Sequence, residues 1–282
     1  MTRVIAIANQ KGGAGKSTVT VNLAVALGQA GRRALVVDAD PQFDTTAMLG
    51  HDPADAPHTI ADVFLGEAEA EDALLRDVAP SVDLLAGDGR MADVELTLVS
   101  QVRREEFLAE ALTETIPAYD YVLIDCPPNL GLLTVNALVA ADEVLVPISM
   151  IDRNAYKGAS TLLSTLTTLR KRRVTVGTLG ILRNNVDARR NTFQTLNEAL
   201  PELDAPLLEA QIPMRSGFHD ATTEGVPLVL RNPDGRAAQA FRELAAEIDA
   251  PALQVPDPAK PIAAARGKKS KKKSDPTLVE VA

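Results

Sequence analysis

The chain has 282 residues, 46% of them hydrophobic, which suffices for one large domain or two small ones with an ordinary buried core. Net charge is −9, yet the segment from Arg266 onward carries six basic and two acidic residues, leaving the remainder at −13; an acidic body excludes a wholly basic DNA-coating protein but leaves room for a local basic patch. The single cysteine, Cys126, excludes an intrachain disulfide, three scattered histidines make no metal set, and no apolar run approaches the ~18 residues of a membrane span.

Residues 4–8 read as a buried parallel strand, apolar throughout and too short for a helix. They lead into Lys11-Gly12-Gly13-Ala14-Gly15-Lys16-Ser17-Thr18, and an apolar-periodic helix follows over residues 19–30, ended by Gly31. Strand, glycine loop, helix is the context a phosphate-binding loop needs. The glycines admit backbone angles closed to other residues and let main-chain N–H groups approach an anion closely. A helix start near Lys16 aims free N–H groups and the positive dipole end at the same anion. Lys16 is placed to reach the β/γ-phosphates of a nucleotide, and Ser17 to put its hydroxyl on Mg²⁺. The general pattern asks for glycine at position 10, where this chain has Gln10, and Lys11 is an extra lysine.

A second buried strand, residues 34–37, runs into Asp38-Ala39-Asp40-Pro41-Gln42. Strand ends in open α/β sheets face the ligand crevice. If the strand continues, Asp38 and Asp40 point the same way; if it turns, Asp40 is freed toward a γ-phosphate. Residues 59–65 and 71–78 read as short helices, 82–85 as a strand and 103–116 as an amphipathic helix. The acidic run Glu67, Glu69, Glu71, Asp72 reads as a solvated face. Residues 121–124 form a third buried strand ending at Asp125, a carboxylate suited to hold Mg²⁺ through water. Cys126 is a packing residue, with no base nearby to activate it. Helix 130–140, strand 143–148 and helix 154–173 follow, the last closing on Arg170-Lys171-Arg172-Arg173. That basic end suits the negative helix terminus and is also a candidate phosphate contact. After strand 176–182, Asn184 or Asn185 is either a hydrogen-bonding partner for a base or a turn residue. The last strand, 206–212, ends at Pro213, and a final amphipathic helix spans 237–248.

These motifs, in this order, resemble the ParA/MinD group of ATPases, whose deviant P-loop carries a signature lysine at the place of Lys11. The resemblance covers about residues 2–250. It implies one doubly wound, mostly parallel α/β sheet with helices on both faces, an ATPase domain over 1–250, and a disordered basic tail over 251–282. It implies that ATP is cradled by Lys11, Gly12, Gly13, Ala14, Gly15, Lys16, Ser17 and Thr18, with Asn184 and Pro213 near the base. Lys11, Lys16 and Asp40 are then catalytic, with Asp40 orienting water and Asp38 near the metal. Ser17, Asp40 and Asp125 hold Mg²⁺, partly through water. Lys11 reaches the partner's nucleotide in an ATP sandwich homodimer. That dimer binds non-specific duplex DNA, with Arg215 and Arg236 as candidate contacts beside Arg170 to Arg173, Arg189 and Arg190. Hydrolysis stimulated by a ParB-like protein releases it. The expected location is cytoplasmic, on the nucleoid.

The chain departs from the family at Phe43-Asp44, where Gly-Asn is usual, and at Met214, where arginine is usual. No helix-turn-helix precedes the first strand, so the resemblance is to the short ParA type. Arg236 also reads as an ordinary surface residue, and the lysines of the tail as either a polyanion tether or a solubilising segment. That tail lacks the apolar face of a membrane-targeting helix, which disfavours a membrane-cycling relative. An ATPase positioning another cargo and a metabolic P-loop enzyme are the other readings.

Overall fold

The computed structural model of the chain describes residues 1–172, 174–214 and 217–250, without the side chains of residues 219–222. Arg173, Arg215 and the 251–282 tail, all singled out from the sequence, lie outside the described residues.

Among the described residues, eight strands form one sheet: β1 (Arg3–Ile7), β2 (Ala34–Asp38), β3 (Leu74–Ala79), β4 (Val82–Leu85), β5 (Tyr121–Asp125), β6 (Glu143–Ser149), β7 (Gly177–Val186) and β8 (Leu207–Pro213). Their spatial order is β3-β4-β2-β5-β1-β6-β7-β8. Every neighbouring pair is parallel except β3–β4. The helices are α1 (Lys16–Gln29), α2 (Asp44–Met48), α3 (Ile60–Leu65), α4 (Met91–Leu98), α5 (Phe107–Ala111), α6 (Leu132–Ala140), α7 (Ala155–Lys171), α8 (Asn191–Ala199), α9 (Gly217–Glu224), α10 (Leu228–Arg231) and α11 (Arg236–Asp249).

Alternate strand residues serve two cores, because side chains in a strand point to opposite faces. Val4, Ala6, Val122, Ile124, Val144 and Val146 pack beneath α3, α6 and α7. Ile5, Ile7, Val36, Leu123 and Leu145 pack beneath α1 and α11. Both faces being covered, the strands read as continuous apolar runs, which makes them legible in the sequence. In α11, Ala237, Phe241, Leu244 and Ile248 recur at helical spacing, and Phe241 is fully buried, edge-on to Phe218. The Glu247 carboxylate of α11 accepts the backbone N–H groups of Glu209 and Ala210 at 2.8 and 2.9 Å, occupying donors of the edge strand β8.

Two expectations are corrected. Residues 71–78 do not form a helix: Leu74–Ala79 is a strand hairpinned onto β4. The Pro80-Ser81 turn, with Ser81 at φ 60° and Asp77 at φ 52°, reverses the chain, and Arg76 crosses to Asp83 and Tyr119. Nor is 103–116 one helix; the regular part is the five residues of α5, between turns and the 3₁₀ segment Ile116–Ala118. Glu67, Glu69, Glu71 and Asp72 are exposed, as a solvated face requires.

Candidate nucleotide site

The sheet's strand order reverses at β1, so the loop after it sits where a crevice opens. Gly13 at φ 74° and Gly15 at φ 85° turn the chain into α1 through the left-handed region. No side chain caps α1 and no acidic residue stands in its first turn, so its leading N–H groups face the loop without an internal acceptor. Two buried asparagines pin the loop from below. Asn9 donates to the Pro147 carbonyl at 2.7 Å and accepts the Lys11 N–H at 3.0 Å. Asn184 donates to the Ala14 carbonyl at 2.8 Å and is 3% exposed.

Asn184, expected beside a base, holds the loop from β7 through its amide nitrogen. The neighbouring Asn185, at φ 54°, donates to the Ser149 hydroxyl at 3.2 Å. Pro213 ends β8 opposite Val186, and the Met214 N–H closes that pairing on the Val186 carbonyl. A Cβ on Gly15 would run into the Asn184 amide while the residue keeps its left-handed backbone. Gly15→Ala is therefore expected to cost about 2–4 kcal/mol from backbone strain and overpacking together. Nucleotide affinity is expected to fall at least tenfold, read by thermal melts and nucleotide titration; an unchanged affinity contradicts this account of the loop.

Lys16 is 6% exposed, and its charge opposes the burial that raises the pKa of both Asp40 and Asp125. Asp125 at the end of β5 is fully buried. Burial pushes its carboxyl up to about 6, against the opposing pull of Lys16, Ser17 and Thr45. One oxygen, Oδ2, accepts the Thr45 hydroxyl at 2.7 Å; the other, Oδ1, is buried with no hydrogen-bond donor. A buried carboxylate oxygen without a donor is costly unless a cation or its water meets it. Together with the Ser17 hydroxyl this is an all-oxygen donor set, the kind Mg²⁺ takes, since that ion uses one or two protein ligands and completes its shell with phosphate and water. The residues present fit Mg²⁺.

Strand β2 stops at Asp38, and the chain turns at Asp40, whose carbonyl accepts the Phe43 N–H at 2.9 Å. Asp40 is 6% exposed; burial raises its pKa, and its Oδ1 accepts the Gln42 N–H at 3.0 Å. Asp38 is fully buried, its pKa raised first by burial and then by Asp125, and it accepts the Thr46 backbone and hydroxyl. Asp38 pairs in register with Asp125, the expected metal carboxylate, while its own oxygens bond to Thr46 and the Asp40 N–H. Phe43, at φ 44°, occupies the left-handed conformation that the family's usual glycine suits. Cys126 is buried with its thiol pushed well up, consistent with inert packing.

Lys11 forms an ion pair with Asp152 at 3.5 Å, its side chain 41% exposed and that of Asp152 31%. A half-exposed pair of this kind is worth at most about 1 kcal/mol, so Lys11 exchanges partners at little cost. Arg236 is exposed at the first turn of α11, whose far end lies against Arg3 and Arg32 beneath the sheet; it stands at the loop end of the fold. Arg189 and Arg190 follow β7 at that end and pair with Asp187, drawing its pKa down to about 2. Arg170 lies at the opposite end, bonded to the Val176 carbonyl and the Thr178 hydroxyl. The residues that sequence reasoning does not single out are Asn9, Thr45, Thr46 and Asp152. Only Asn9 carries a local signal, a polar residue in an apolar strand exit.

Residues 2–177 match the AAA domain family. The sporulation initiation inhibitor protein Soj of Bacillus subtilis is 36% identical over 252 residues, covering 89% of this chain and 99% of its own. The chromosome partitioning protein ParA of Caulobacter vibrioides is 37% identical over 258 residues, 87% and 93% of the two chains. A cobyrinic acid a,c-diamide synthase from Mycobacterium smegmatis, solved with bound ADP and magnesium, superposes with a TM-score of 0.76 at 35% identity, over 87% and 93% of the chains. With its glycine loop, buried Lys16 and strand-end Asp125 at the positions the motifs predict, the chain belongs to the ParA/Soj family of P-loop ATPases.

Proposed function

We propose that the chain is an ATP-driven partition ATPase that dimerises on Mg-ATP, binds duplex DNA without sequence preference in that state, and leaves it on hydrolysis. The observation that carries the reading is the cradle itself: uncapped α1 amides, buried Lys16 and a donor-free Asp125 oxygen meeting at the strand ends. The loop amides and Lys16 bind and orient the phosphates. Ser17 and Asp125 would hold Mg²⁺, which when bound would supply neutralisation of the charge developing on the transferred phosphoryl group. Asp40 orients the attacking water; burial raises its pKa, and the Gln42 N–H and the Lys16 charge oppose that rise. Lys11 leaves Asp152 for a phosphate across the dimer interface, where a compact cation gains most from a second nucleotide. A protein of the ParB kind, supplied by the cargo, accelerates hydrolysis.

Asp125 must be ionised to hold the metal. Below its pKa of about 6, Mg²⁺-dependent nucleotide affinity is expected to fall about tenfold per pH unit. The sign for stability is opposite. The folded pKa lies above the unfolded value of about 3.9, so the folded chain binds the proton more tightly. This group's contribution to the stability of the nucleotide-free protein grows as pH drops from 7 to 4. Titrations with and without Mg²⁺ from pH 5 to 8 check both; affinity flat across that range contradicts the role of Asp125.

Dimerisation doubles each protomer's basic contacts, which steepens affinity and salt dependence together. Arg236→Ala is expected to weaken ATP-state duplex binding several-fold and to lower the slope of log affinity against log salt by about 0.9 for each phosphate no longer neutralised. Filter binding over a salt series reads both. An unaltered slope removes Arg236 from the interface.

A further inference from the structure

The loop bearing Asp40 is closed on itself. Asp38, at the end of β2, uses Oδ2 to accept both the Thr46 N–H at 2.8 Å and the Thr46 hydroxyl at 2.7 Å. Its Oδ1 accepts the Asp40 N–H at 3.3 Å. Between these two anchors the chain makes one tight turn, Phe43 N–H to Asp40 carbonyl at 2.9 Å, with Phe43 in the left-handed region. A second strand exit joins the clasp, because the Thr46 hydroxyl oxygen accepts the Gly87 N–H at 2.9 Å. Gly87 follows β4, and a Cβ there would stand 2.8 Å from the Asp38 carboxyl carbon. Asp38 and Thr46 are both fully buried. The hydroxyl therefore donates to Asp38 and accepts from Gly87 at once, which a methyl group cannot do.

We propose that Thr46 is a positioning residue for ATP hydrolysis, fixing the segment on which Asp40 stands by clasping the exits of β2 and β4 to α2. The inference rests on the reading of Asp40 as the water-orienting group. Thr46 does not touch the phosphate loop through any of these bonds, so its contribution falls on the chemical step rather than on nucleotide binding. Displacing a catalytic group by about 1 Å costs on the order of a hundredfold in rate.

The test uses the full chain. Thr46→Val keeps the side-chain shape and removes the hydroxyl; Thr46→Ser keeps the hydroxyl. Thr46→Val is expected to lower kcat by about ten- to a hundredfold while the equilibrium Kd for ATP stays within about threefold, and Thr46→Ser to retain kcat within about threefold of the parent. Thermal melts locate an assay temperature at which all variants are folded. A role confined to stability moves the melt and leaves kcat alone at that temperature. Should Thr46→Val fail to fold, Thr46→Cys, whose thiol donates and accepts weakly, is expected to give an intermediate kcat. An undiminished kcat in the variant used, a Thr46→Ser as slow as Thr46→Val, or a loss mirrored in Kd overturns the proposal. Asp40→Ala run in parallel separates the failures. If it hydrolyses at the parent rate, the Asp40 reading and this one fall together. If it is inactive and the Thr46 variant is not, only the clasp is wrong.

Discussion

Lys16→Ala is expected to lose nucleotide binding. The ammonium is buried at 6% exposure and sits within the fields of Asp40 and Asp125, so no solvent-screened charge can take its place. Removing one member of a buried, charge-assisted group costs about 3–5 kcal/mol, which corresponds to roughly two to three and a half orders of magnitude in Kd. A second effect adds to the first. Without Lys16, the carboxyl of Asp125 rises further above its value of about 6, and more of it is protonated at neutral pH, when metal binding needs the carboxylate. Calorimetric titration with ATP at fixed Mg²⁺ reads the sum. A Kd within tenfold of the parent contradicts the placement of Lys16 on the phosphates.

Asp40→Ala is expected to do the opposite: keep ATP and lose turnover. The Asp40 carboxylate bonds to the Gln42 N–H and its backbone N–H to Asp38, while the phosphate loop is held by Asn9 and Asn184; the cradle therefore survives the substitution. Loss of a positioned base lowers kcat by about 10²–10⁴. With hydrolysis stalled, the ATP-bound dimer accumulates. Single-turnover hydrolysis and light scattering in ATP read the two halves. Hydrolysis at the parent rate removes Asp40 from the chemistry, and stalled hydrolysis without dimer removes ATP from the interface.

The strands and the phosphate loop are legible in the sequence because their signals are local. Apolar runs such as Ala34–Asp38 and Tyr121–Asp125 are buried on both faces, and the glycine spacing of the loop is continuous in sequence. The hairpin strand β3 reads as helix because Leu74, Leu75 and Val78 fall at helical spacing. Its identity is set instead by backbone reversal at residues 80–81 and by pairing with β4. Helix α2, five residues long, has no periodicity to read. The supports of the site are hidden for a different reason. Asn9 meets Pro147 across 138 positions, Asn184 meets Ala14 across 170, and Thr46 meets Gly87 across 41. Parallel sheets bring strand exits together only after the chain has crossed over, so such contacts leave no mark in a local window. Phe43 departs from the family glycine of the resemblance, and its φ of 44° is a left-handed conformation that glycine suits.

The measurement that bears most directly on the proposed function is binding to non-specific duplex DNA with ATP, with ADP and with no nucleotide, across a salt series. The account predicts tight, salt-sensitive binding with ATP alone, released as ATP is hydrolysed. Binding indifferent to nucleotide, or none at all while ATPase activity persists, contradicts it; the first outcome leaves a basic tail adhering to a polyanion, and the second directs the ATP cycle to a membrane or a protein scaffold.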